Sequence, residues 1–296
     1  MENGNNLLFS RHLDEVDDLK AFGRDAPLEK SESNLEKLKK ISEAVYTKIV
    51  DEDKEAVLFI TSPRLRAKET AEWIAEDLRS RGLSNLKIRF SSNQDLRATE
   101  QGRFVLPQDY SPGDFFEGLS IASAVFTKEA HMSDTPGMED NIHYRFGDPV
   151  LKPDGSYKYP ELVKSFEGNG ESYSETLIRI YNSVLEMSKS YQKLLSRTEV
   201  VVVSHGQIYH VLRGLLEISK MVKSGTVNFQ TGDSMKLLWQ IYNACDGNQK
   251  VTGICMPLDF EVLKDTEMMG LLKKEVEYLQ AANVEATKLE PRYGEH

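Results

Sequence analysis

Through residues 1–102, short apolar runs alternate with longer segments whose apolar residues recur at helical spacing. Residues 6–10 predict a first strand, and a polar loop follows through Gly23-Arg24-Asp25-Ala26-Pro27-Leu28. The spacing predicts a helix over 33–50, with Leu35, Leu38, Ile41, Val45 and Ile49 on one face. The run 56–61 predicts a second strand. A second helix is predicted over 67–81, with Ala71, Ile74, Ala75 and Leu78 turned inward. A third, shorter strand is expected over 86–90. This β-α-β-α-β order predicts a parallel sheet with right-handed crossovers.

The same pattern resumes at Gly170-Glu171-Ser172. A long helix is predicted to reach 195, with Leu177, Ile180, Val184, Leu185, Met187 and Tyr191 as its apolar stripe. Four consecutive valines at 200–203 predict a buried strand, and a helix is expected over 206–218. Later strands are expected over 227–229, 236–242 and 250–255, with a turn at 245–248. The segment 259–289 reads as an amphipathic helix with Met268, Leu272, Val276 and Leu279 on one side. Packing on its own core is the expected fate of that side, with a homodimer contact the alternative.

Between 103 and 169 the pattern changes. Six of the ten prolines fall here, among ten phenylalanines and tyrosines, so a regular sheet-and-helix alternation cannot continue. A helix is expected over 114–130, where Phe115, Leu119, Ala122 and Phe126 repeat at helical spacing, and a turn at 152–156. So long a stretch argues against a structureless loop. The fold class expected is α/β: a three-layer sandwich with a mainly parallel sheet flanked by helices, plus an inserted cap. The core comprises 1–102 and 170–258, the cap 103–169, and 259–296 is a C-terminal helix packed on the core.

Composition narrows the function. A formal net charge of −10 argues against a nucleic-acid partner, which would need a basic face. An anionic substrate would then have to be drawn in by a local positive pocket. Met1 to Asn6 is polar and the apolar stretch after it is too short for a signal peptide or a span, so no membrane partner is expected. Cys245 and Cys255 are the only cysteines, which suits a reducing, cytoplasmic compartment.

Chemistry gathers at strand ends. Leu7-Leu8-Phe9-Ser10 runs into Arg11-His12, Val200-Val201-Val202-Val203-Ser204 into His205-Gly206, and Ala56-Val57-Leu58-Phe59-Ile60-Thr61-Ser62 into Pro63-Arg64-Leu65-Arg66. Open α/β sheets bind ligands just past the carboxyl ends of their strands. Two histidines and three arginines therefore converge as an inventory for gripping and transferring a phosphoryl group without a metal. Neutral imidazole at His12 can attack phosphorus, and nearby positive charge keeps it neutral. By itself an Arg-His pair also fits a structural histidine. Proline at 63 marks a helix start, so Arg66 lies in the first turn, where an anion is already favoured. Arg64, two residues earlier, should point elsewhere. His205 would donate to a phosphoryl oxygen, with Gly206 permitting close backbone approach. His210 is assigned to packing. His131 and His143, beside Asp134, Glu139 and Asp140, match no metal spacing, so neither a metal nor a cofactor is expected.

These residues together resemble the histidine phosphatase superfamily, also called phosphoglycerate-mutase-like. Arg11-His12 resembles its nucleophile motif, with Leu13 where the family usually has glycine. The loop through Gly23-Arg24-Asp25-Ala26-Pro27-Leu28 is similar to the one that follows that motif. Ser62-Pro63-Arg64-Leu65-Arg66-Ala67-Lys68-Glu69-Thr70-Ala71 resembles the arginine helix, Gly170-Glu171-Ser172 the start of the long helix, and Ser204-His205-Gly206 the second-histidine motif. The match covers 7–102 and 170–242.

The resemblance implies phosphoryl transfer to His12 and hydrolysis of the phosphohistidine, with Arg11, Arg66 and His205 holding the phosphoryl oxygens. The family's general acid is commonly a glutamate in a segment where this chain has Leu96-Arg97-Ala98-Thr99-Glu100-Gln101-Gly102, so alanine occupies the aligned place. Glu100 is the nearest substitute; Asp109, Asp114 and Glu117 are less favoured. The function expected is a phosphatase of a small phosphorylated metabolite, acting without a metal. The alternatives are a phosphoglycerate mutase-type phosphotransferase and a catalytically weak phosphoryl-binding regulatory module.

Overall fold

The computed structural model describes residues 6–14, 26–98, 103–104, 156, 166–167, 170–190, 197–233, 237, 255–259 and 265–289. In chain order the described elements are β1 (Asn6–Arg11), α1 (Glu32–Asp51), β2 (Ala56–Thr61), α2 (Leu65–Ser80), β3 (Lys87–Ser92), a short 3-10 turn (Gln94–Leu96), β4 (Arg103–Phe104), β5 (Phe166–Glu167), α3 (Tyr173–Ser190), β6 (Thr198–Ser204), α4 (Gly206–Lys223), β7 (Cys255–Asp259) and α5 (Thr266–Leu289). The chain divides into two compact units. The first comprises Met1–Ala98, Arg179–Gln230 and Lys236–Lys273, the second Thr99–Ile178, Thr231–Met235 and Lys274–His296.

The first unit holds an α/β sandwich. Its sheet runs in the order β3-β2-β6-β1-β7. β1, β2, β3 and β6 are parallel, and β7 closes one edge antiparallel to β1. The valine strand takes the centre because it must bury both of its faces, and residues 200–203 are fully enclosed. On one side, Leu8, Val57, Phe59, Val201 and Val203 pack with Ile41, Val45 and Ile49 of α1 and Ala71, Ile74 and Leu78 of α2. On the other, Tyr209 of α4 lies against Phe9, the ring centroids 5.4 Å apart. The alternation of strand side chains thus produces the layers.

Several expectations are corrected. Leu35 is exposed at 49%, because the inner face of α1 begins one residue earlier, at the fully buried Asn34. Asn34 is held there by donating to the carbonyls of Asp14 (2.7 Å) and Glu29 (2.8 Å) and accepting from the Asp14 N–H (2.9 Å). β3 is as long as β2, not shorter. α4 runs on to Lys223, and 227–229 is not a strand. The N–H groups of Thr226 and Val227 bond back to the Met221 carbonyl, closing the helix through Gly225 at φ 70°. The strand expected up to 255 begins there instead, as Cys255–Asp259. The last helix accordingly starts at Thr266, where Asp265 accepts from the N–H groups of Glu267 (3.0 Å) and Met268 (3.1 Å). Leu237, within the strand expected over 236–242, is helical. Residues 191–196, 250–254, the turn at 245–248, the helix at 114–130, and all but Ser156 of the turn at 152–156 lie outside the described residues.

In the second unit β4 pairs antiparallel with β5. Ser172 opens α3 with a reciprocal cap: its hydroxyl accepts from the Glu175 N–H (3.1 Å), and the Glu175 carboxylate accepts from the Ser172 N–H (2.9 Å).

At the amino end of β6, Glu199 is buried and accepts from Lys48 Nζ at 3.0 Å. Burial drives its carboxyl up from the ordinary 4.5 to about 7, although Lys48 pulls the other way.

Candidate active site

The register of the sheet brings the predicted strand ends level. Arg11 pairs with Ser204 and Thr61 with Val203, so His12 and Ser62 flank the end of β6 on either side. The ladder continues one step past the strands: the His12 N–H donates to the Ser204 carbonyl and the Ser62 N–H to the Val203 carbonyl, each at 2.9 Å. His12 and His205, distant in sequence, end with ring centroids 5.0 Å apart and edge-to-face at 64°. Both rings are buried, at 8% and 4% exposure.

His12 Nδ1 lies 2.6 Å from the Leu13 carbonyl. A carbonyl oxygen only accepts, so Nδ1 carries the proton and Nε2 keeps its lone pair. Burial first, and then the Arg66 charge, hold this imidazole well below its ordinary 6.5, at about 3. The Leu13 carbonyl pulls upward, Arg11 downward again. His205 is lowered further by burial, by His12, and by Arg66, Arg64 and Arg11. Both rings are therefore neutral around pH 7.

Proline at 63 and the extended backbone of Arg64 start α2 at Leu65, which puts Arg66 in its first turn as expected. Arg11 reaches the beginning of α4: a side chain at Gly206 would meet Arg11 Cδ at 3.8 Å. Arg64, expected to point elsewhere, still acts on His205 electrostatically, behind Arg66 and ahead of Arg11.

Sequence reasoning missed the residues that hold this arrangement. The Thr70 hydroxyl accepts from the Leu13 N–H (3.0 Å) and donates to the Arg66 carbonyl (2.7 Å), joining the His12 loop to the arginine turn. Ser62 Oγ lies 2.8 Å from His205 Nε2. Ser204 Oγ donates to the Leu96 carbonyl (2.5 Å). The buried Arg179 donates through Nη1 to the carbonyls of Asp95 and Arg97, the latter at 3.0 Å. A hydroxyl four residues from an arginine, as Thr70 is from Arg66, and the serines ending the strands at 62 and 204 were the signals that could have found them.

Glu100, Asp109, Asp114 and Glu117, with His131, His143, Asp134, Glu139 and Asp140, lie outside the described residues, as does the side chain of His210. Among the described residues, no three His, Cys, Asp or Glu side chains gather as a metal site requires. No helix among them is long and apolar enough to cross a membrane.

No family model and no curated protein matches the chain. Among solved structures it is similar to one described as mycobacterial hydrolase 2, at 18% identity and a TM-score of 0.41, over 72% of each chain. It is also similar to a mycobacterial glucosyl-3-phosphoglycerate phosphatase in complex with VO3, at 20% identity and a TM-score of 0.40, over 72% of this chain and 82% of that one. At this distance, what the site can do has to be read from its own residues.

Proposed function

We propose that the chain is a phosphatase of the histidine phosphatase type, hydrolysing a small phosphomonoester through a phosphohistidine on His12. The observation that carries this reading is the pair of neutral, buried imidazoles 5.0 Å apart, with Arg66 and Arg11 close enough to depress both. A neutral nucleophile beside fixed cations suits an anionic electrophile, because the guanidinium groups offset the phosphoryl charge while the nucleophile keeps its lone pair.

In the first step, Nε2 of His12 attacks phosphorus and the bond to the ester oxygen breaks. The leaving oxygen takes a proton from Glu100, the nearest carboxyl to the place the family gives its acid. Water then attacks the phosphohistidine, Glu100 takes back a proton, and the P–N bond pair returns to Nε2. The products are the alcohol and inorganic phosphate. Arg11, Arg66 and His205 hold the phosphoryl oxygens throughout, each charge-assisted contact being worth roughly 1.5–3 kcal/mol.

Ala98 in the aligned acid position favours a second reading, a phosphoryl-binding module with little turnover. Turnover of an aryl phosphate, with and without a chelator, in wild type and His12→Gln separates the two. Chelator-resistant turnover that vanishes in the variant supports the phosphatase. Phosphate or vanadate binding without turnover favours the module.

A further inference from the structure

We infer that Ser62 is a positioning residue that holds His205 in its Nδ1–H tautomer, making Nδ1 the atom that donates to the bound oxyanion. The second half of this statement rests on the phosphoryl-binding reading above; the first half rests on hydrogen-bond accounting alone.

Ser62 is fully buried, so water cannot satisfy its hydroxyl. That hydroxyl has a single proton and two lone pairs. Pro63 has no N–H, and the Arg64 N–H is the next backbone donor; it reaches back to Ser62 Oγ at 3.3 Å and occupies a lone pair. Among the described residues, the one side-chain acceptor paired with the hydroxyl is His205 Nε2, at 2.8 Å. Were Nε2 protonated, it would donate to Oγ and leave the buried hydroxyl proton without a side-chain acceptor among the described residues. With Nε2 bare, the Ser62 hydroxyl donates its proton to the imidazole and accepts from the Arg64 N–H. Leaving a buried donor unpaired is the costlier arrangement, so the Nε2-accepting form prevails.

The proton then sits on Nδ1 of His205, which is buried and has no hydrogen-bond partner among the described residues. A buried N–H without a partner, beside the His12 ring, is complementary to an anionic oxygen. The opposite tautomer would present a lone pair there, which repels that oxygen. Ser62 does not touch the substrate in this scheme. It acts through the imidazole, as an outer hydrogen bond sets the tautomer of a histidine.

The test is a long-range proton–nitrogen NMR correlation on protein labelled with 15N-histidine, near neutral pH, with His205 identified by its loss in His205→Gln. The expected wild-type pattern is a protonated Nδ1 and a bare Nε2, with the Nδ1 resonance moving when inorganic phosphate is added. Ser62→Ala should lose the single-tautomer pattern, and Ser62→Thr, which keeps the hydroxyl, should retain it. In turnover, Ser62→Ala should lower kcat roughly 10- to 100-fold while leaving KM within about threefold, and Ser62→Thr should recover most of the loss.

An Nε2–H pattern in wild type, or an unchanged Nδ1–H pattern in Ser62→Ala, overturns the inference. The wild-type spectrum decides the tautomer even if a variant fails to fold. If wild type turns over no phosphate ester, the phosphatase reading falls, and the resting-state spectrum still decides the role of Ser62.

Discussion

At one end of β6, Glu199 meets Lys48 across 3.0 Å; at the other, His205 stands 5.0 Å from His12 with its Nδ1 unpartnered among the described residues. Both ends bury ionisable groups, and the neighbours of each differ in kind. Lys48 offsets part of the cost of burying the Glu199 charge, so the amino end closes on itself. The largest influences on His205 all push the same way: burial, His12 and the guanidinium groups of Arg66, Arg64 and Arg11 disfavour the imidazolium. The carboxyl end is thus complementary to negative charge, as the proposed phosphoryl site requires, and the amino end is not.

The contrast is sharpest at His12, the proposed nucleophile. His12→Gln should lower aryl phosphate turnover at least about 1,000-fold while phosphate binding and the unfolding transition persist. Turnover within tenfold of wild type would remove His12 from the chemistry and erase the difference between the two ends.

The two ends should also respond oppositely to pH. Glu199 is raised from 4.5 to about 7 in the folded state. Its contribution to stability is complete below 4.5, where folded and unfolded chains are both protonated, and is lost as pH rises through 7. A shift of that size is on the order of 3 kcal/mol. His12 runs the other way, lowered from 6.5 to about 3. Its contribution is present above 6.5 and is lost as pH falls through 3. Urea unfolding from pH 4.5 to above 7 should therefore show wild type losing stability relative to Glu199→Gln as pH rises. A pH-independent difference between the two proteins would contradict the buried, charge-costly state assigned to Glu199.

Smaller effects sharpen the picture of the cationic end. Arg66→Ala should slow turnover at least about tenfold without unfolding the protein, as loss of a charge-assisted contact implies. Near-normal activity would take Arg66 out of the site. Arg179→Met should lower stability by about 1–2 kcal/mol in urea unfolding, since it leaves the carbonyls of Asp95 and Arg97 without that donor. No loss would mean that solvent replaces Arg179 freely.

What could be read from the sequence divides along the same line between local and long-range interactions. The strands at 56–61 and over the valines 200–203 were legible because an apolar run flanked by turn residues has few other fates. Arg66 was legible because Pro63 marks where a helix can begin. The juxtaposition of His12 and His205 followed from expecting both at strand ends of one parallel sheet. Ser62 and His205 are 143 residues apart, and their bond depends on β2 and β6 being neighbours, which no local pattern states. Nothing local marks Glu199, because its partner Lys48 lies 151 residues away. Leu35 misled because apolar spacing carries no information about the backbone groups that draw Asn34 inward. Helix ends slipped for a similar reason: the bonds closing α4 at Gly225 are backbone to backbone.

The most direct test of the central claim is to trap the protein during turnover of an aryl phosphate, under alkaline quench and with chelator present, and to map any bound phosphate. Acid-labile, alkali-stable phosphate on Nε2 of His12, absent from His12→Gln, is the predicted result. Phosphate on another residue, or turnover that stops when chelator is added, would contradict it.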